Sequence, residues 1–228
     1  MEAVNSEATA SPVPFGVDAS EFEPGLARGW IAALPDFALG LTFLAAWLAP
    51  ATMPAGSVKH LLLVMLLEFI IIHSSAFLGS VAIRGGPRGP RIMGIATLGL
   101  FYSIFAGAFS LAFHSWWPIL SFWGLMLNRM LGVLIGQAPG EQQKAFIQRT
   151  WAASALFYLL GCFITILLPL PALGLTPGVV ASLHLPGSGA WISQPHRAMA
   201  FGFLYFTAIA CSELGSHGWL RSWKASKS

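Results

Sequence analysis

Charge is what this sequence has least of. Across 228 residues only 9% are Asp, Glu, Lys or Arg, where an ordinary soluble domain carries roughly 25%. The 12 basic and 9 acidic side chains are too few to cover a globule of this size with polar surface. With 56% of residues hydrophobic and a mean hydropathy of +0.70, lipid must solvate much of the chain.

Other shortages narrow the reading. Low charge with high apolar content excludes a disordered chain. The two cysteines, Cys162 and Cys211, both lie in apolar runs, which excludes a disulfide-stapled secreted domain and leaves them as small hydrophobes. The net charge of +3 comes from scattered residues rather than a basic stripe, so no nucleic-acid partner is expected. There is no HExxH, CxxC, CxxCH or GxSxG, and the GGPRGP run from Gly85 has prolines where a phosphate loop needs amide donors. No catalytic residue is assigned.

What is present is a series of apolar segments. A helix needs about 20 mainly apolar residues to cross ~30 Å of hydrocarbon, and six segments answer to that. They are 30–49, 60–80, 92–113, 116–136, 151–169 and 196–215. The breaks hold turn residues: Pro50 and Pro54, the GGPRGP run, and Pro139-Gly140. Only His114 and Ser115 part the third and fourth segments, so these form a tight hairpin or fuse into one element and reduce the spans to five. The expected fold is an all-α polytopic transmembrane bundle over 30–215. A mobile acidic tail at 1–29 precedes it and a basic cytoplasmic tail at 216–228 follows. The tail 1–29 has five carboxylates and one basic residue, Arg28, and so lacks the basic start and apolar core of a secretory signal.

Orientation follows from the basic residues. With six spans, nine (Arg28, Arg84, Arg88, Arg91, Lys144, Arg149, Arg221, Lys224, Lys227) fall on one side and two (Lys59, Arg197) on the other. The positive-inside rule places both termini in the cytoplasm, with the cell (inner) membrane as location. Tryptophans near segment ends, such as Trp30, Trp47, Trp116 and Trp151, fit the headgroup boundary. Small residues at helical spacing mark expected helix-facing surfaces: Gly124, Asn128, Gly132 and Gly136; Gly99, Ser103 and Gly107; Ser75 and Gly79. The outer connection 170–195 is expected to hug the surface.

Ionisable groups far from the segment ends are the candidates for function. At 1.5 Å per residue, Asp36, His73 and Arg129 fall ~5 Å to the cytoplasmic side of mid-span and Glu68 ~3 Å to the outer side. Left unpaired and charged, Asp36, Glu68 and Arg129 would together cost roughly 8–10 kcal/mol, so they are expected to face one another. Glu68 is expected to carry the proton, with Asp36 as counter-ion to Arg129 and His73 beside them. Asn128, Tyr102, Tyr158, Tyr205 and Ser75 are the expected polar lining. Glu213, close to a span end, is expected at the interface. A second group, His60, His114, His184 and His196, gathers at the outer face, where imidazoles could hold a metal or a haem.

Three functions follow. The first is a small proton-coupled transporter or permeation protein acting on a proton or small solute. The second is a non-catalytic membrane subunit or assembly factor, a homo-oligomer or member of a larger complex. The third is a haem- or metal-binding membrane protein that uses the outer histidines.

Overall fold

The computed structural model describes residues 26–83, 87–135 and 140–215; Gly136 and most of both expected tails lie outside these residues. Among the described residues the chain is all helical, with no strand. Six long helices, α1 Leu26–Leu48, α2 Ser57–Ile83, α3 Arg88–Ala112, α4 Trp117–Ile135, α5 Glu141–Leu167 and α8 Pro195–Leu214, carry the architecture. Two short helices, α6 Pro177–Ser182 and α7 Ala190–Ser193, interrupt the α5–α8 connection.

Prolines place several starts. Pro90 and Pro118 sit in the first turns of α3 and α4, and Pro177 and Pro195 open α6 and α8. A first-turn amide has no partner within its helix, so proline loses nothing there. His114 adopts φ 48 and Ser115 donates its amide to the Ser110 carbonyl at 2.9 Å, so α3 and α4 are separate helices joined by a tight turn. Helix α5 starts ten residues before the expected Trp151. The stretch EQQKAFIQR is too polar to read as membrane-spanning, yet it is rich in strong helix formers. Its Lys144–Glu141 pair, 2.7 Å, adds first-turn support. Helix α1 likewise starts at Leu26, inside the expected acidic tail.

Five of the helices, α1 to α5, are long and apolar enough to span a membrane, which fits a multi-pass membrane protein. Helix α8 has the length but a more polar sequence, with Arg197 and Glu213 near its ends. Its buried residues run from Pro195 to Ser212, so protein surrounds most of it. A helix enclosed by other helices has less need of an apolar face for lipid.

Helix α8 packs between α1 and α5, while α2 touches α3, α4, α5 and α8 and joins two cores. One core gathers Phe43, Leu62, Met65, Tyr158, Phe201, Tyr205 and their neighbours from α1, α2, α5 and α8. The other gathers Leu78, Ile95, Ala106, Phe122 and Met126 from α2 and the α3–α4 hairpin. Helices α1 and α8 run antiparallel, with Gly29 against Leu214, Gly40 against Thr207, and Gly202 against Phe43. The start of α1 and the end of α8 therefore share one face of the bundle, here called the terminal face.

On the opposite face the connection after α5 is tacked to α1. Trp47 Nε1 donates to the Pro171 carbonyl at 3.0 Å, and the Gly174 amide donates to the Trp47 carbonyl at 3.0 Å. Any Cβ at Gly174 would overlap the Leu48 carbonyl. Leu175 alone enters the core, and most of the remainder stays exposed. Arg197 Nη1 donates to the Thr165 and Ile166 carbonyls at 2.9 and 2.7 Å, which caps the C-terminus of α5.

Candidate functional site

Lipid offers no hydrogen-bond partner, so a polar side chain inside the bundle must find one on another helix. The close α1–α8 contact brings such groups together. On α1, Ala33, Asp36, Gly40 and Phe43 recur at the three- and four-residue spacing of one helix face. A Cβ at Gly40 would lie 2.9 Å from Thr207 Oγ1, and one at Gly202 would overlap the Phe43 ring. These glycines let the two backbones approach.

Side chains lean toward the N-terminus of their own helix. In this antiparallel pair Glu213 therefore leans away from the end of α8, and Asp36 leans back toward the start of α1. The two carboxyl groups therefore stand close to one another across the α1–α8 contact. Glu68 on α2 lies near enough to Asp36 for their charges to repel. Tyr205 on α8 donates its hydroxyl to Glu68 Oε1 at 2.6 Å, with Ser154 of α5 beside that hydroxyl. The result is a line of polar groups, Glu213, Asp36, Glu68, Tyr205 and Ser154, drawn from four helices.

Arg129 is not part of it. Its Nη2 donates to Ser75 Oγ at 2.8 Å, in the half of the bundle built by α2, α3 and α4, and it forms no ion pair with Asp36 or Glu68. The expected Asp36–Arg129 pairing is thus corrected. Glu68 and Ser75 share a face of α2 but lie ~10 Å apart along it, far enough for crossing helices to exchange neighbours. His73 is also elsewhere: it faces outward, its Nδ1 2.9 Å from the Phe69 carbonyl and its ring 4.0 Å from the Phe69 ring. That outward direction agrees with its position about 140° round α2 from Glu68.

The expected lining divides in the same way. Tyr205 joins the acids; Tyr158 donates its hydroxyl to the Met65 carbonyl at 3.1 Å and packs beside them. Tyr102 stacks with Phe101 and Phe105 on α3, Ser75 serves Arg129, and Asn128 is exposed on α4. Gly99 meets Met126 and Gly107 meets Ile119, as the small-residue pattern leads one to expect. A Cβ at Gly79, Gly124 or Gly132 would meet no atom within 4 Å, so the α4 stripe points away from the bundle.

The outer histidines do not come together. His60, His114 and His184 are exposed and His196 is half-buried, and among the described residues no three His, Cys, Asp or Glu side chains could hold a metal ion. His114 at φ 48 and His184 at φ 45 occupy turns instead. The same test applies to the acids, which form a line rather than a cage.

Glu213 is the site residue that sequence reasoning sends to the interface. Its signal is the Gly40 and Gly202 pair, which becomes legible once α1 and α8 are known to be neighbours. On the side of Glu68 away from the terminal face, rings pack together: Tyr158 to Phe201 at 4.7 Å, Tyr158 to Tyr205 at 5.5 Å, and Trp191 to Phe201 at 5.6 Å between centroids. Phe201 is seated against Gly161, where a Cβ would lie 2.7 Å from its ring. No protein-family model, curated protein or solved structure matches this chain.

Proposed function

We propose that this is a six-span protein of the cell (inner) membrane, with both termini cytoplasmic, in which the Asp36–Glu68–Glu213 line takes up and passes protons. It serves proton permeation itself or the coupled movement of a small solute. One observation carries the reading: three carboxyls from three helices lie near one another, one of them bonded to Tyr205, and among the described residues no basic side chain pairs with them. Packing alone has no use for such an acid surplus, because buried carboxyls that only fixed helix neighbours would be matched by cations. Helix α8 counts as the sixth span because it lies antiparallel along α1. The terminal face then bears Arg88, Arg91, Lys144 and Arg149 of the described residues, against Lys59 and Arg197 on the other, and is the cytoplasmic one.

The route to the acids runs from that face. Glu213 is one residue from the end of α8, whereas the opposite route meets the buried Phe201 and Tyr205 rings. Proton exchange with the cytoplasm is therefore direct, and exchange with the outside requires the ring stack to move. The test is Glu68→Gln in proteoliposomes. Proton flux should fall by at least about tenfold while insertion and helicity persist, as expected when an intramembrane carboxyl carries the proton. Flux equal to wild type would remove Glu68 from the role.

A second reading, a membrane subunit, draws on the outward stripe of α4. Gly124, Asn128 and Gly132 are exposed, and an amide turned to lipid with glycine a turn away on either side suits contact with another helix. Asn128→Cys with Cys162 and Cys211 replaced by Ser tests this in membranes. Disulfide-linked dimers on mild oxidation would favour self-association, and monomer throughout would count against it.

A further inference from the structure

The face opposite the termini carries a groove of about 560 Å³, separate from the line of acids. Leu62 and Leu66 of α2 form one wall, Phe109 and Phe113 at the end of α3 a second, and Trp191 and Ile192 of α7 a third. Leu62 and Phe113 are almost fully buried. Its volume lies within the range of about 300–1,000 Å³ typical of small-molecule sites.

We propose that this groove binds one acyl chain of a bilayer lipid from the leaflet opposite the termini. The chemistry of the lining argues for that occupant. No ionisable side chain borders the groove, and Ser188 supplies its one side-chain hydroxyl. A charged solute would lose its hydration there without finding a partner, which disfavours any ionic ligand. A hydrocarbon chain loses nothing and gains dispersion contacts with aromatic and aliphatic walls.

Depth argues the same way. Leu62 lies in the second turn of α2 and Phe113 directly follows the last residue of α3, so the mouth lies at the edge of the hydrocarbon. From Leu62 to Leu66 and from Phe113 to Phe109 the walls descend one turn, ~6 Å, along the helix axes, the direction in which a lipid chain leaves its headgroup. The mouth is also clear. Residues 187–190 and Ala112 are exposed, and a Cβ at Gly187 or Gly189 would meet no atom within 4 Å. Those two glycines hold φ values of +91° and +119°, a backbone course that side-chain-bearing residues rarely adopt.

The experiment uses the full chain in proteoliposomes containing phosphatidylcholine with a diazirine on one acyl chain, followed by peptide mapping of the photoadducts. Labelling should concentrate on residues 109–113 and 186–192, relative to the exposed α4 residues Leu120, Leu127 and Leu131. It should fall about fivefold at the groove in Ala112→Trp and in Ser188→Trp, with α4 labelling unchanged. The two variants fill the groove from different walls at exposed positions, so the second carries the test if the first misfolds. Label spread evenly over groove and α4, or unchanged in both folded variants, would overturn the proposal. Label on α4 with none at 109–113 or 186–192 would also overturn it, because lipid would then have no access to the groove.

Discussion

The two halves of the bundle on either side of α2 treat the same residue types in opposite ways. Where α1, α5 and α8 pack, glycines face rings: Gly202 meets Phe43 and Gly161 meets Phe201. In the α3–α4 hairpin, Gly99 and Gly107 of α3 meet Met126 and Ile119, but Gly124 and Gly132 on the outer side of α4 meet nothing. The first half holds half-buried acids that pair with no cation among the described residues, and the second holds a half-buried cation, Arg129, bonded to a serine. The contrast teaches that a small residue in a membrane helix tightens a contact only when a bulky group stands opposite. It also shows that opposite charges at similar depth need not meet when a helix lies between them.

The sharpest way to break this comparison is to enlarge glycines in both halves. Gly202→Leu should destabilise by about 3 kcal/mol or more through overlap with Phe43, and Gly132→Leu should stay within about 0.5 kcal/mol. Reversible unfolding in mixed micelles measures both, and equal effects would erase the distinction. Tyr205→Phe comes next. It removes the donor to Glu68 and should cost about 1–3 kcal/mol in the same assay. Arg197→Ala strips the cap from the end of α5 and should cost about 1 kcal/mol. Smallest is Arg129→Met, which deletes a half-buried cation with a neutral partner and should change stability by under about 1 kcal/mol. A large loss there would mean that the cation has a partner of consequence and that the halves are not electrostatically separate.

Helix positions are legible in the sequence because hydrocarbon thickness imposes a length on apolar runs and proline imposes starts. Hydropathy places the helices at Leu26–Leu48, Ser57–Ile83 and Arg88–Ala112 to within about four residues. It misses the first turns of α5, whose polar residues favour helix without favouring lipid. Neighbours are far less legible. Soluble helices announce their partners through an apolar stripe, whereas in lipid every face is apolar. Depth alone therefore grouped Asp36, Glu68, His73 and Arg129, although the fold keeps only the first two together. Glu213 looked interfacial because its place in the chain is near a helix end, and its backward lean toward Asp36 depends on a pairing of first and last helices that no local pattern encodes.

On this reading the grouped carboxyls of Asp36, Glu68 and Glu213 hold an exchangeable proton, and infrared spectroscopy of the protein in bilayers reads this directly. A carbonyl stretch from protonated carboxylic acid should be present, shift when the bilayers are moved into deuterated buffer, and weaken in Asp36→Asn and Glu213→Gln. A spectrum showing only ionised carboxylate, or a protonated band unaffected by either substitution, would contradict it.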